Sequence, residues 1–178
     1  MPLDIGELCA NGRVHQRVYT DPELFELERK NLFGRTWLYL GHESQLKARG
    51  DFITAELAGQ PIIVVEGEGG QLQAFFNRCA HRGALIRRQP HGNARLLDCA
   101  YHGWTFELDG RLKNIPAKER YANTEVVDDA SKWGLTKIPR FASYRGFLFG
   151  SLSPDGPDLN EFLGPVAVNL DTMIDRSP

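Results

Sequence analysis

Four residues in two short segments could do chemistry together. Cys79-Ala80-His81-Arg82-Gly83 reads C-x-H, and, with seventeen residues intervening between His81 and Cys99, the segment Cys99-Ala100-Tyr101-His102-Gly103-Trp104 reads C-x-x-H. Each segment offers one thiolate and one imidazole. A [2Fe–2S] cluster with two Cys on one iron and two His on the other uses those four ligands. Two ferric irons, two sulfides, two thiolates and two neutral imidazoles sum to zero charge, so the one-electron reduced cluster carries a single negative charge. An all-Cys cluster sits two charge units lower in both states and resists the electron more. The pattern implies a one-electron relay at moderate potential.

Two rival readings use the same residues. A zinc-binding interaction module also takes two Cys and two His, but its familiar spacing pairs Cys with Cys and His with His. Here each pair is mixed, and a glycine follows soon after each histidine. Chance burial of two Cys and two His is the third reading. A paired four-ligand pattern is far more specific than a lone motif, and it favours iron and sulfur.

The 178 residues suit one domain with flanking segments, long enough to bury a core. Hydrophobic content of 42% and charged content of 25% are those of an ordinary globular protein. A net charge of −2 argues against nucleic acid as partner. No apolar run approaches the length of a membrane span, and the start, Met1-Pro2-Leu3-Asp4-Ile5, lacks the basic and then apolar run of a signal peptide. The reading is therefore cytoplasmic, with no membrane. Three cysteines leave only Cys9 outside the motif, as a free or half-buried thiol, and imply no disulfide framework.

These ligands need short strands to hold them. Residues 1–20 show no clear period and read as irregular. Thr20-Asp21-Pro22-Glu23 starts a helix, with Leu24, Leu27, Leu32 and Phe33 as an apolar stripe, Phe25 beside it, and Gly34 at its close. The stripe predicts burial. Strands follow at 37–40, 51–57, 61–66 and 72–76, the last two joined as a hairpin through the glycines of 67–70. Further strands at 96–98 and 105–108 flank the second ligand segment, and Asp109-Gly110 turns into 111–113. After a polar insertion at 117–132, strands return near 135–141 and 146–151, and 159–163 and 166–174 read as helical. The fold class is mainly β: a small antiparallel β-sheet domain with an N-terminal helix and a short helical C-terminal tail. The division is 1–35 for the N-terminal segment, 36–155 for the cluster domain and 156–178 for a linker helix.

The stretch Asn77-Arg78-Cys79-Ala80-His81-Arg82-Gly83-Ala84, with Tyr101-His102-Gly103-Trp104-Thr105-Phe106, resembles the Rieske [2Fe–2S] domain of bacterial aromatic-ring-hydroxylating dioxygenase large (alpha) subunits. Tyr19-Thr20-Asp21-Pro22-Glu23-Leu24-Phe25, Gly41-His42-Glu43-Ser44-Gln45 and Arg140-Phe141-Ala142-Ser143-Tyr144-Arg145-Gly146-Phe147-Leu148-Phe149-Gly150 are similar to the benzoate, toluate and anthranilate dioxygenase branch. So is Met173-Ile174-Asp175-Arg176-Ser177-Pro178, while the insertion near 117–129 is less like that branch. The resemblance implies that Cys79 and Cys99 bind the inner iron and that His81 and His102 bind the outer one. It implies electrons from an NADH-dependent flavin/iron–sulfur reductase, passed to a mononuclear Fe(II) in the catalytic domain of a neighbouring alpha subunit. A beta subunit and an arenecarboxylate substrate are further implications. A free-standing Rieske electron carrier is the alternative, disfavoured by the helices at both ends.

The five histidines are His15, His42, His81, His91 and His102, with no two three to five residues apart. A facial triad of two His and one carboxylate is not expected here, so the chain reads as the N-terminal part of such a subunit, without hydroxylase activity of its own. His42 and His91 read as surface or core residues. Trp104 and Tyr101 either cover the cluster or serve as plain core aromatics. Arg82, Arg87, Arg88 and Arg95 read as a basic face, with reductase docking or stabilisation of the reduced cluster as the sharper alternatives. In high-potential Rieske relatives two cysteines bridge the loops and a hydroxyl follows the second His. Ala84, Tyr101 and Trp104 stand at those positions here, which lowers the expected potential.

Overall fold

The computed structural model describes residues 5–10, 12–122 and 124–176. The reading of residues 1–4 and of the final Ser177 and Pro178 lies outside them. The first twenty residues are not irregular throughout. Two single-turn helices, α1 (Ile5–Leu8) and α2 (Arg17–Thr20), flank a small hairpin of β1 (Cys9–Ala10) and β2 (Arg13–Val14). Cys9 is an exposed free thiol on that hairpin.

Helix α3 (Pro22–Glu28) starts where the sequence places it. Asp21 accepts from the Glu23 N–H, and Pro22 occupies the first turn. Its continuation, Arg29–Phe33, widens to i→i+5 bonding, with the Gly34 N–H donating to the Arg29 carbonyl at 2.8 Å. The expected burial of the stripe is met only in part, with Phe33 half-buried. Leu24 is buried, but Phe25, Leu27 and Leu32 are 55%, 41% and 53% exposed. Leu32 lies on this widened segment and is turned to solvent. Arg29 anchors the far end by donating to the Ala58 carbonyl.

Ile62, Ile63, Val64 and Val65 are all fully buried, so the strand that carries them must be covered on both faces. After β3 (Leu38–His42) come β4 (Asp51–Leu57), β5 (Gln60–Glu66), β6 (Leu72–Phe76) and β7 (His91–Asn93), which form an antiparallel sheet in the order β6-β5-β4-β7. The predicted β5–β6 hairpin is present, with Glu66 opposite Leu72. Strand β7 was not legible because His91-Gly92-Asn93 carries no apolar alternation. It is defined by pairing with Asp51–Ile53 of β4.

Three short strands, β8 (Leu97–Asp98), β9 (Thr105–Phe106) and β10 (Leu112–Asn114), make a second sheet in the order β10-β9-β8. The polar insertion is not featureless. It holds a 3-10 turn at Lys118–Tyr121, helix α4 (Glu125–Asp128) and a second 3-10 turn at Ala130–Trp133, with Val126 buried. The strand expected near 135–141 is displaced. Pro139 lacks an N–H, so residues before it only bridge to β6 at Phe75–Lys137, and β11 (Arg140–Tyr144) starts after it. Strand β12 (Phe147–Ser151) pairs with both β11 and β3. Helices α5 (Leu159–Leu163) and α6 (Ala167–Asp175) close the chain as expected.

Strand β5 divides the interior. Ile62 and Val64 face a core shared with Leu40, Leu57 and Leu148, between the first sheet and the β11-β12-β3 sheet. Ile63 and Val65 face the other way, into a core with Phe75, Leu97, Trp104, Phe106 and both Cys79 and Cys99. The two ligand segments therefore sit over one face of the central sheet, in loops between β6 and β7 and between β8 and β9. The fold is mainly antiparallel β, as the sequence predicts. Among the described residues no helix is long and apolar enough to cross a membrane.

Candidate metal centre

The two ligand loops are built on one backbone pattern. The Cys79 N–H donates to the Ala84 carbonyl and the Gly83 N–H donates back to the Cys79 carbonyl, at 2.8 and 2.9 Å. The Cys99 N–H donates to the Trp104 carbonyl and the Gly103 N–H to the Cys99 carbonyl, again at 2.8 and 2.9 Å. Both closures need a left-handed residue, supplied by Gly83 at φ +70° and Gly103 at φ +71°. A Cβ at Gly103 would also fall 2.9 Å from Cγ of Pro116.

The side chains meet in two pairs. Cys79 and Cys99 are buried, 4% and 3% exposed, in the same core, and each is close enough to influence the other electrostatically. The His81 and His102 rings lie 4.8 Å apart, edge to face, with His81 half-buried and His102 exposed. Burial, and secondarily the neighbouring Cys99, pushes the Cys79 thiol up to about 11. Burial, then the nearby His102 and Arg82, pushes His81 down and favours its neutral ring. A thiol this reluctant to ionise becomes thiolate when a cation takes the place of its proton, and a neutral imidazole is ready to ligate.

That donor set fits a two-metal group. Thiols stand beside thiols and imidazoles beside imidazoles. Among the described residues, no three His, Cys, Asp or Glu side chains converge where a single ion could be held. A [2Fe–2S] cluster asks for this division of ligands.

Other residues lock the loops in place. Asn77, 2% exposed, bonds both ways to the Arg87 backbone, at 2.7 and 3.0 Å, and so closes the first loop. The Arg87 guanidinium reaches across to the second loop. It donates to the carbonyls of Leu96 and Asp98 at 2.8 and 2.9 Å and pairs with the Asp98 carboxylate at 2.7 Å. Its side chain is only 12% exposed. The solvated basic face expected of this arginine is therefore corrected for Arg87, whereas Arg82, Arg88 and Arg95 are exposed. Arg87→Met leaves four acceptors, the carbonyls of Ile86, Leu96 and Asp98 and the Asp98 carboxylate, without their donor, so denaturant unfolding should show a loss of about 2–4 kcal/mol. A change below about 0.5 kcal/mol, the range of neutral surface substitutions, would contradict the clamp.

Trp104 is fully buried and lies flat on His81, with ring centroids 4.8 Å apart and planes 4° from parallel. Tyr101 is 61% exposed and lies against His102 at 3.8 Å. His15 precedes α2, His42 ends β3 with its Nδ1 accepting from the Ser44 N–H, and His91 is exposed on β7. None of these three belongs to the paired set. Asn77, Tyr121 and Trp133 were not singled out from the sequence as parts of the site, and Arg87 was singled out as a surface charge and not as a clamp between the loops. Two aromatic residues inside a polar insertion were the available signal for Tyr121 and Trp133.

The chain belongs to the Rieske [2Fe–2S] domain family, whose model matches residues 36–139. Its relatives are alpha subunits of aromatic dioxygenases. It is 42% identical over 166 residues to the toluate 1,2-dioxygenase alpha subunit of Pseudomonas putida, covering 93% of this chain and 37% of that one. It is 42% identical to the large subunit of anthranilate 1,2-dioxygenase from Acinetobacter baylyi, covering 93% and 35%. The structure matches naphthalene 1,2-dioxygenase from Rhodococcus sp. with a TM-score of 0.86 and 36% identity, over 97% of this chain and 39% of that one. The chain thus spans little more than a third of the length of the relatives it matches.

Proposed function

We propose that this chain is the electron-relay domain of an aromatic-ring-hydroxylating dioxygenase alpha subunit. In this reading Cys79 and Cys99 hold the inner iron and His81 and His102 the outer one. The observation that carries the assignment is the pairing itself: thiols buried together against the sheet, imidazoles together toward solvent. When bound, the cluster supplies a one-electron couple. Around it the residues do three things. The backbone closures and the Asn77–Arg87 clamp keep both loops rigid, so little rearrangement accompanies a change of charge. Trp104 and the buried thiols exclude water from the inner side. The exposed His102 ring and its neighbour Tyr101 present the outer side to a partner.

The partners follow from the same reading. An NADH-dependent flavin/iron–sulfur reductase delivers electrons singly, with the exposed Arg82, Arg88 and Arg95 as its docking charges. The acceptor is a mononuclear Fe(II) in the catalytic domain of a neighbouring alpha subunit, with a beta subunit completing the enzyme. There the electrons support dioxygen-dependent dihydroxylation of an arenecarboxylate. The toluate and anthranilate relatives, each 42% identical, support that substrate class. We place the protein in the cytoplasm, in keeping with its three free cysteines. We divide it into an N-terminal segment at 1–35, the cluster domain at 36–155 and a linker helix at 156–178. The pairing of β12 with β3 supports extending the middle unit beyond residue 139.

Anaerobic addition of NADH and such a reductase should bleach the visible absorbance reversibly, at one electron per chain, and oxygen should restore it. These 178 residues alone should yield no hydroxylated product from any aromatic acid. Failure to accept the electron would overturn the relay, and product formation would overturn the placing of the catalytic iron elsewhere.

A further inference from the structure

Tyr121 and Trp133 come from a stretch whose composition is polar, yet both rings end on the same target. Tyr121 stands edge-on to His81 at 6.0 Å and 77°, and edge-on to Trp104 at 5.9 Å and 73°. Trp133 stands edge-on to Trp104 at 5.9 Å and 69°. Trp104 in turn lies flat on His81. The buried Val126 belongs to the same core. Two turns on either side of α4 thus converge on one indole and, through it, on one imidazole.

This packing carries a penalty. The indole N–H groups of Trp104 and Trp133 are buried with no hydrogen-bond partner among the described residues. An unpaired buried donor is destabilising, a cost that phenylalanine at either position would avoid. What the indoles supply is ring area in a fixed orientation. Edge-to-face pairs are favourable beyond their area, and the two that Trp104 makes, with Tyr121 and Trp133, resist its rotation.

We propose that Tyr121 and Trp133 are positioning residues that hold Trp104 flat against His81 and thereby fix the plane of that imidazole. The inference rests on the reading of His81 as a cluster ligand. Outer partners that orient a ligating histidine ordinarily act through a hydrogen bond to its second nitrogen. Here ring stacking does that work, which leaves the outward edge of His81 free.

The test uses the holoprotein and two readouts, the g-values of the reduced-state EPR signal and the half-life of the visible absorbance in the presence of an iron chelator. Tyr121→Ala should shift or broaden the signal and shorten the half-life roughly five- to tenfold, the equivalent of losing two ring contacts. Tyr121→Phe should preserve both. Leu148→Ala, which opens the core on the opposite face of the sheet, should lower thermal stability and leave the g-values unmoved. If Tyr121→Ala does not accumulate as folded protein, Trp133→Leu carries the same expectation. Unchanged g-values and half-life in the alanine or leucine variant, beside a normal signal in the unsubstituted chain, would overturn the inference. Absence of the mixed-ligand signal from the unsubstituted chain would overturn the ligand reading itself, and the inference with it.

Discussion

His81→Ala and His102→Ala each abolish the reduced-state signal of the mixed-ligand cluster, while His91→Ala leaves it intact. The effect is all-or-none because an iron left with one protein nitrogen is poorly held. Among the described residues no third His, Cys, Asp or Glu joins either pair to make a mononuclear site. His91 is the informative comparison. It lies only ten residues from His81 in the sequence, yet it sits exposed on β7, paired with Ile53 of the central sheet. The measurement is EPR of the dithionite-reduced variants together with iron content. Loss of the signal in His91→Ala, or its survival in His81→Ala, would show that the ligands are misassigned.

The reduction potential falls near −150 mV, not near +300 mV, the two ends of the range that such centres span. The gap is about 450 mV, or roughly eight decades in the one-electron equilibrium. Hydrogen bonds to the cluster sulfurs stabilise the added electron, and a bridge between the loops holds their donors in place. Both devices are missing at the positions that carry them in high-potential relatives. Ala84 closes its loop through its backbone carbonyl and offers only a methyl group. Tyr101 turns its ring onto His102 and out to solvent. Trp104 brings an indole, stacked on His81, where those relatives have a hydroxyl. Voltammetry at neutral pH reads the midpoint directly, and a value well above about 0 mV would contradict this account.

The site was legible in the sequence because its chemistry is concentrated in two segments. The mixed Cys/His spacing points to the candidate ligands, and the glycine after each histidine turns out to close its loop in the left-handed conformation. Strands with β-branched or alternating patterns, such as 61–66 and 72–76, were equally plain. The misses have physical causes. Strand β7 contains His, Gly and Asn and exists only through pairing with β4, a contact that no local pattern announces. The exposure of Leu27 and Leu32 depends on which elements pack against the helix, which no local pattern announces. Pro139 delayed β11 by withdrawing one donor. Arg87 looked like one surface arginine among four, and only the approach of the β8 backbone makes it a buried clamp. The insertion at 117–132 read as polar because most of its residues are polar; Tyr121 and Val126, with Trp133 beside it, carry its packing.

In the proposed reading this chain holds a [2Fe–2S] cluster between a thiolate pair and an imidazole pair. The most direct measurement is EPR and metal analysis of the protein purified anaerobically. The account predicts a red-brown protein with two irons and two sulfides per chain, whose reduced signal has the average g of a mixed Cys/His centre rather than that of an all-Cys cluster. A colourless protein with stoichiometric zinc would contradict it.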